Sequence, residues 1–184
     1  MSTIFISHSI PNGHSWTITS KLGHILRTAE ERYGPRDHLY TILGVEFNQD
    51  GPQIWYPGNC MHIVIQISMD CMHDMNKAVF QVAHEAIHCL SPTGRKTANA
   101  LEEGLANLFA IEYTFSNGNG IWTSGDQKYT DASELVKQLT SIDSEMIKKL
   151  RTVQPIISSI DKDLIMRINT NVPEELANNI TKTF

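Results

Sequence analysis

The chain has 184 residues, enough for one domain with a sizeable core. Its 41% hydrophobic and 19% charged residues are those of an ordinary globular protein. A net charge of −5 argues against nucleic-acid and anionic-membrane binding, which rest on clustered Lys and Arg.

In chain order, residues 3–6 read as a short strand, closed by the turn residues of Ser9-Ile10-Pro11-Asn12-Gly13. No basic segment precedes Ile4, and no apolar run reaches membrane-spanning length. The expectation is a cytoplasmic protein, with signal-independent export compatible. From Trp16 to Tyr33, the residues Ile18, Leu22, Ile25 and Leu26 recur at helical spacing, and Gly34-Pro35 ends the run. Three strand-like runs follow. Leu39–Phe47 and Gln53–Tyr56 flank the turn sequence Asn48-Gln49-Asp50-Gly51, which predicts a hairpin. The third, His62–Ser68, is apolar on both faces and reads as well covered.

Lys77 to Leu90 reads as a helix, with Asp74 as N-cap and Ser91-Pro92 plus Gly94 as stop. Val79, Ala83, Ala86 and Leu90, with Phe80 and Ile87 beside them, form its apolar stripe. His84, Glu85 and His88 make the pattern His-Glu-x-x-His. Residues i and i+4 share a helix face, so two imidazoles can hold one metal ion. The Glu between them is then placed as general base beside a metal-activated water, the chemistry of a zinc hydrolase.

A catalytic zinc usually takes three protein ligands. Thr97 to Tyr113 reads as a second helix, with Thr97 as N-cap, and it is apolar nearly all round. A carboxylate buried there is costly unless paired, protonated or metal-bound. Glu103 is the predicted ligand, because it shares a face with the small residues Ala106, Asn107 and Ala110. Asn107 is predicted to hydrogen-bond a ligand His. Glu102, on the side of Leu105 and Phe109, is the alternative ligand.

These two segments resemble the zinc-binding core of the gluzincin metallopeptidases, which carry His-Glu-x-x-His and a Glu on the next helix. Asn107 stands where thermolysin-like enzymes have an Asp that hydrogen-bonds a ligand His. Glu103-Gly104-Leu105-Ala106 is similar to the Glu-Gly-Phe-Ala run of M1-type aminopeptidases. The stretch from Glu103 to Ala110 is similar to the second motif of ImmA/IrrE-type peptidases. The resemblance covers about residues 62–113, and the gap from His88 to Glu103 is shorter than in large gluzincins.

The resemblance implies an α+β, minimal zincin-like domain. It would have an N-terminal helix, a small sheet, the active-site helix, the third-ligand helix and a helical C-terminal region. It also implies one Zn²⁺ per chain, a peptide or protein substrate, and a strand along the cleft that pairs with extended substrate. Residues 62–68 are the candidate for that strand, a plain core strand being the other reading. Many gluzincins add a Tyr or His that stabilises the oxyanion. Tyr56, His62, His73 and Tyr129 are the candidates here, while Tyr113 lies about 15 Å from Glu103 along a continuous helix. Two other functions stay open: a zinc hydrolase of a non-peptide substrate, and a zincin-like module that binds a partner without cleaving.

Three cysteines, Cys60, Cys71 and Cys89, give no disulfide framework. Cys89 points about 100° away from His88 on a helix and reads as a core residue. His8, His14, His24 and His38 read as surface or satisfied polar groups, and Trp16, Trp55 and Trp122 as core or cleft wall. Residues 116–126 form a loop around Trp122, either a lid or a surface connection. Helices then follow at 132–139, 144–153, 161–168 and after Pro173, with Asp131, Ser141 or Asp143, and Ser159 as candidate N-caps. One domain over 1–184 is expected, with 1–115 carrying sheet and metal core and 116–184 the loop and helical part.

Overall fold

The computed structural model describes residues 3–59, 61–94, 97–120 and 122–184. Cys60 therefore lies outside the described residues. The chain is α+β. A two-stranded ribbon, β1 (Ser9–Ile10) with β2 (Gly13–His14), precedes α1 (Ile18–Tyr33). Thr17 and Ser20 cap α1 reciprocally, and Gly34, at φ 92°, closes it with an N–H donated to the Glu30 carbonyl. Ile18, Leu22, Ile25 and Ala29 form its buried stripe.

The main sheet has three strands, β3 (Thr41–Asn48), β4 (Gln53–Trp55) and β5 (His62–Ser68), in the order β3-β5-β4. β3 runs parallel to β5, and β4 antiparallel to it. This corrects the hairpin expectation and decides between the two readings of residues 62–68. The turn at 48–51 forms, with Asn48 bonded to the Gly51 carbonyl and to the Asp50 N–H, but its two strands do not pair with each other. β5 lies between them. It is also the centre of the sheet and not a free edge. Ile63, Ile65 and Ile67 are fully buried on its inner face, and a central position pairs its backbone on both sides. Its other face is only half-buried and carries a ladder from Gln53 through Gln66 to Glu46. The free antiparallel edge belongs to β4.

Residues 3–5 form a single 3₁₀ turn, so the short strand expected at 3–6 is absent; the turn plugs Ile4 into the core. α2 (Met75–His88) is capped by Asp74, as its sequence indicates. α3 (Ala100–Ser116) is capped by Asn99 and not by Thr97. α4 (Gln127–Ile142) begins five residues earlier than its apolar pattern starts, because Asp126 and not Asp131 caps it. α5 (Met146–Val153) has no side-chain cap at its own N-cap residue, Glu145. α6 (Lys162–Ile168) is capped by Asp161, while Ser159 lies in the 3₁₀ turn before it. α7 (Glu174–Ile180) follows Pro173.

One apolar core runs from Ile4 to Ile180 and includes residues of both halves of the chain. Arg151 of α5, 6% exposed, joins them. It donates to the carbonyls of Tyr33, Gly34, Pro35, Leu90 and Pro155, so the ends of α1 and α2 meet on one guanidinium. Among the described residues, no helix is long and apolar enough to cross a membrane.

Candidate metal centre

α2 buries Ala78, Val79, Val82, Ala83, Ala86 and Ile87 against the core, which leaves His84 and His88 half-buried on its other side. α3 returns alongside it and brings Glu103 to both imidazoles. Nε2 of His84 lies 3.3 Å from one carboxylate oxygen of Glu103, and Nε2 of His88 lies 3.7 Å from the other. One donor atom from each of the three residues lies within 4.8 Å of the others, so the group could hold a metal ion. Tetrahedral bonds of about 2.0–2.1 Å put ligand atoms roughly 3.3 Å apart, close to the spacing here.

The Glu103 oxygen facing His84 supplies a test of fit. It is buried and has no hydrogen-bond partner, since the 3.3 Å contact lacks hydrogen-bond alignment. A buried carboxylate oxygen without a donor is costly, and a cation removes that cost.

Glu102 has a role different from the ligand role weighed for it. Its carboxylate accepts a hydrogen bond from Nδ1 of His88 at 2.9 Å, which turns Nε2 of that ring towards Glu103. Glu102 is buried, so this pairing also answers the cost of placing a carboxylate on an apolar helix. Asn107 does not touch a ligand His. Its amide N–H₂ donates to the Tyr129 carbonyl and the Ser133 hydroxyl, and its own carbonyl oxygen is buried without a partner. Asn107 shares the face of Glu103 but lies one turn further along α3, where Tyr129 and Ser133 of α4 take its amide.

Gly104 of α3 packs tightly against Ala132 and Val136 of α4. A Cβ there would lie 2.3 Å from the Ala132 carbonyl oxygen. The glycine is required for space and not for backbone conformation. It lets α4 deliver Tyr129, whose ring meets His84 edge-on with centroids 5.6 Å apart.

The charges are concentrated. Burial raises the pKa of Glu85 above the usual carboxylate value; His88 and His84 oppose that shift, while Glu103 and Glu102 add to it. Burial works against the charge of His88, but the hydrogen bond from Glu102 and the charges of Glu103 and Glu85 prevail, pushing it up to about 10. Burial likewise opposes ionisation of Glu103, yet His84, His88 and Lys128 hold its pKa below the ordinary value.

The other candidates fall into two groups. Tyr129 is at the centre; burial, then the charges of Glu103, Glu85 and Asp126, push its hydroxyl up to about 12. Tyr56, directly after β4, has a buried hydroxyl without an aligned partner. It too is pushed up to about 12, by burial first, with Gly94 opposing and Cys89, Tyr40 and Glu102 adding; its ring packs edge-on to Tyr40. His62 and His73 are exposed and make no hydrogen bond or ring contact with the triad. His73 precedes α2 by two residues, more than two helical turns from His84. Cys89 is buried at the end of α2 and stands outside the metal-holding group. The Tyr113 hydroxyl is engaged elsewhere, 2.6 Å from Nδ1 of His24.

The surroundings include residues that sequence reasoning missed. Phe184 packs its ring on Tyr129 at 4.9 Å, held there by its backbone N–H to the Ala98 carbonyl and by Ala100 N–H to the Lys182 carbonyl. Nothing in the local pattern of Phe184 marks it. Trp122 lies over Phe80, one turn before His84. A cavity of about 1110 Å³ opens behind the α2–α3 connection, lined by Arg36, Ser91, Asn99 and Lys148 among others, but no triad residue lines it. Titratable groups converge instead at the triad, where a buried carboxylate oxygen lacks a partner. No protein-family model, curated protein or solved structure matches this chain.

Proposed function

We propose that this protein is a zinc-dependent metallopeptidase with a minimal, gluzincin-like centre. The observation that carries the reading is the convergence of His84, His88 and Glu103 beside a buried Glu85. Two imidazoles and one carboxylate are a catalytic zinc donor set that leaves a coordination position open. A purely structural site would close with a fourth protein ligand, and among the described residues neither Glu102 nor Cys89 belongs to the metal-holding group.

Bound by these three residues, zinc would supply electrophilic activation of a water and of the scissile carbonyl. Glu85 takes the water's proton and passes it to the leaving amine, and the upward shift of its pKa suits both steps. Glu102 holds the orientation of His88. Tyr129 stays protonated near neutral pH and donates a hydrogen bond where negative charge develops on the carbonyl oxygen. The free antiparallel edge of β4, leading into Tyr56, suits main-chain pairing with an extended peptide.

The test is cleavage of a broad peptide library by zinc-loaded protein, with Glu85→Gln beside it. Wild type should cleave, and Glu85→Gln should keep its zinc while losing at least about a hundredfold in rate. Zinc-loaded wild type that cleaves no peptide, yet turns over non-peptide amides or esters, would replace this reading with a different hydrolase.

A further inference from the structure

Lys128 opens α4 beside the metal centre, with its ammonium 4.0 Å above the ring of Phe184. That ring packs on Tyr129, and Tyr129 packs on His84. These contacts keep the ammonium within about four extended residues of the His84 ring. Several other cations around the core are engaged by oxygen atoms. Lys77 pairs with Asp70, Arg36 with Glu30 and the Tyr40 carbonyl, and Arg151 with five carbonyls. Lys128 is exposed and has no carboxylate partner among the described residues. The centre itself carries Glu85, Glu102 and Glu103, whose charges the imidazoles and a bound ion would offset, so an exposed ammonium beside it can set a preference for an anionic substrate group.

Resting on the peptidase reading above, we propose that Lys128 receives a substrate carboxylate on the side of the centre walled by Tyr129 and Phe184, so that the preferred peptides carry an anionic group a few residues from the scissile bond. The two rings offer apolar contact to the part of the substrate between that carboxylate and the reacting carbonyl. The carboxylate can be a peptide's C-terminus or an Asp or Glu side chain. The first makes the protein an exopeptidase, the second an endopeptidase with acidic preference.

The experiment is calorimetric titration of zinc-loaded Glu85→Gln protein with three peptides of one apolar sequence. One has a free C-terminal carboxylate, one a C-terminal amide, and one the amide plus a Glu side chain near the end. The free acid, the Glu peptide or both should bind about fivefold tighter than the plain amide. Which of them does so names the source of the carboxylate. The preference should vanish in a second variant that adds Lys128→Met and survive in one that adds Lys128→Arg. Equal affinity for all three peptides, or a preference that persists with Met at 128, overturns the proposal. Digestion of the same peptides by wild type separates the two claims. Cleavage without any carboxylate preference in binding overturns the role of Lys128 alone. A Lys128-dependent preference without cleavage overturns the peptidase reading and supports the carboxylate site. No binding and no cleavage overturns both.

Discussion

The candidate metal centre and the wall beside it are assembled in opposite ways. His84, Glu85, His88, Glu102 and Glu103 come from two consecutive helices and lie within one short stretch of chain. The wall is made of Trp122 from a loop, Tyr129 from α4 and Phe184 beyond α7. In the centre, helical spacing aligns His84 with His88, and the next helix in the chain brings the carboxylates to them. In the wall, nothing local does: Tyr129 arrives because Gly104 has no side chain, and Phe184 because residues 182–184 hydrogen-bond to residues 98–100. A coordination set can therefore be written into about twenty residues, while what surrounds it depends on close approaches between distant segments.

The contrast is sharpest at two adjacent carboxylates. Glu103→Ala should abolish stoichiometric zinc, whereas Glu102→Ala should keep zinc with affinity weakened about 10- to 100-fold, as expected for a residue that only orients His88. Elemental analysis and chelator competition read both values. Equal loss in the two variants would make Glu102 a ligand and erase the distinction.

Next in size is Gly104→Ala, which acts on the wall. Overpacking against Ala132 should cost about 1–3 kcal/mol, partly offset by the better helix propensity of Ala. Denaturant titration measures it, and zinc content should be retained. A rise in stability would show that α4 yields easily and that the glycine does not hold the wall in place.

Metal uptake should also show the charge state of the centre. His88 titrates well above its ordinary 6.5 in the metal-free protein, at about 10. The sign follows from linkage: this stabilisation is complete below about 6.5 and is lost as pH rises through about 10. A metal ligand must be neutral imidazole, so zinc binding near pH 8 should release about one proton. Proton release measured in weak buffer checks this, and none released would mean that His88 is already neutral.

The smallest effect tests the seam between the two regions. Asn99 caps α3 through Glu102 N–H, and its amide approaches three carbonyls at 157–160. Asn99→Ala should cost about 1–2 kcal/mol in a denaturation midpoint. A loss confined to zinc affinity, without loss of stability, would assign the residue to the centre alone.

Several parts of the molecule were legible because they are local. Asp74, the apolar stripe of α2, and the spacing of His84 and His88 all act within a few helical turns. Glu103 could be chosen because a carboxylate on an almost wholly apolar helix needs a partner. The same argument applied to Glu102, but which partner each carboxylate takes depends on how α3 lies against α2. The turn at 48–51 announces a chain reversal and not the strand that fills it, so the sequence leaves β5 open to both an edge and a core reading. The caps of α3, α4, α5 and α6 differ from those expected because several Thr, Asn, Asp and Ser residues cluster near each helix start and more than one satisfies the local chemistry.

By itself, the sequence determined the α+β composition, the two helices that carry the centre, and the residue types able to hold a metal ion, because side-chain periodicity and burial cost act along the chain. Only the tertiary structure decided that Glu102 orients His88, that Asn107 turns to α4, that β5 is central with β4 at an edge, and that Tyr129, Phe184 and Lys128 border the site. Those outcomes depend on helix-to-helix approach and on strand order, which arise from packing between residues far apart in sequence.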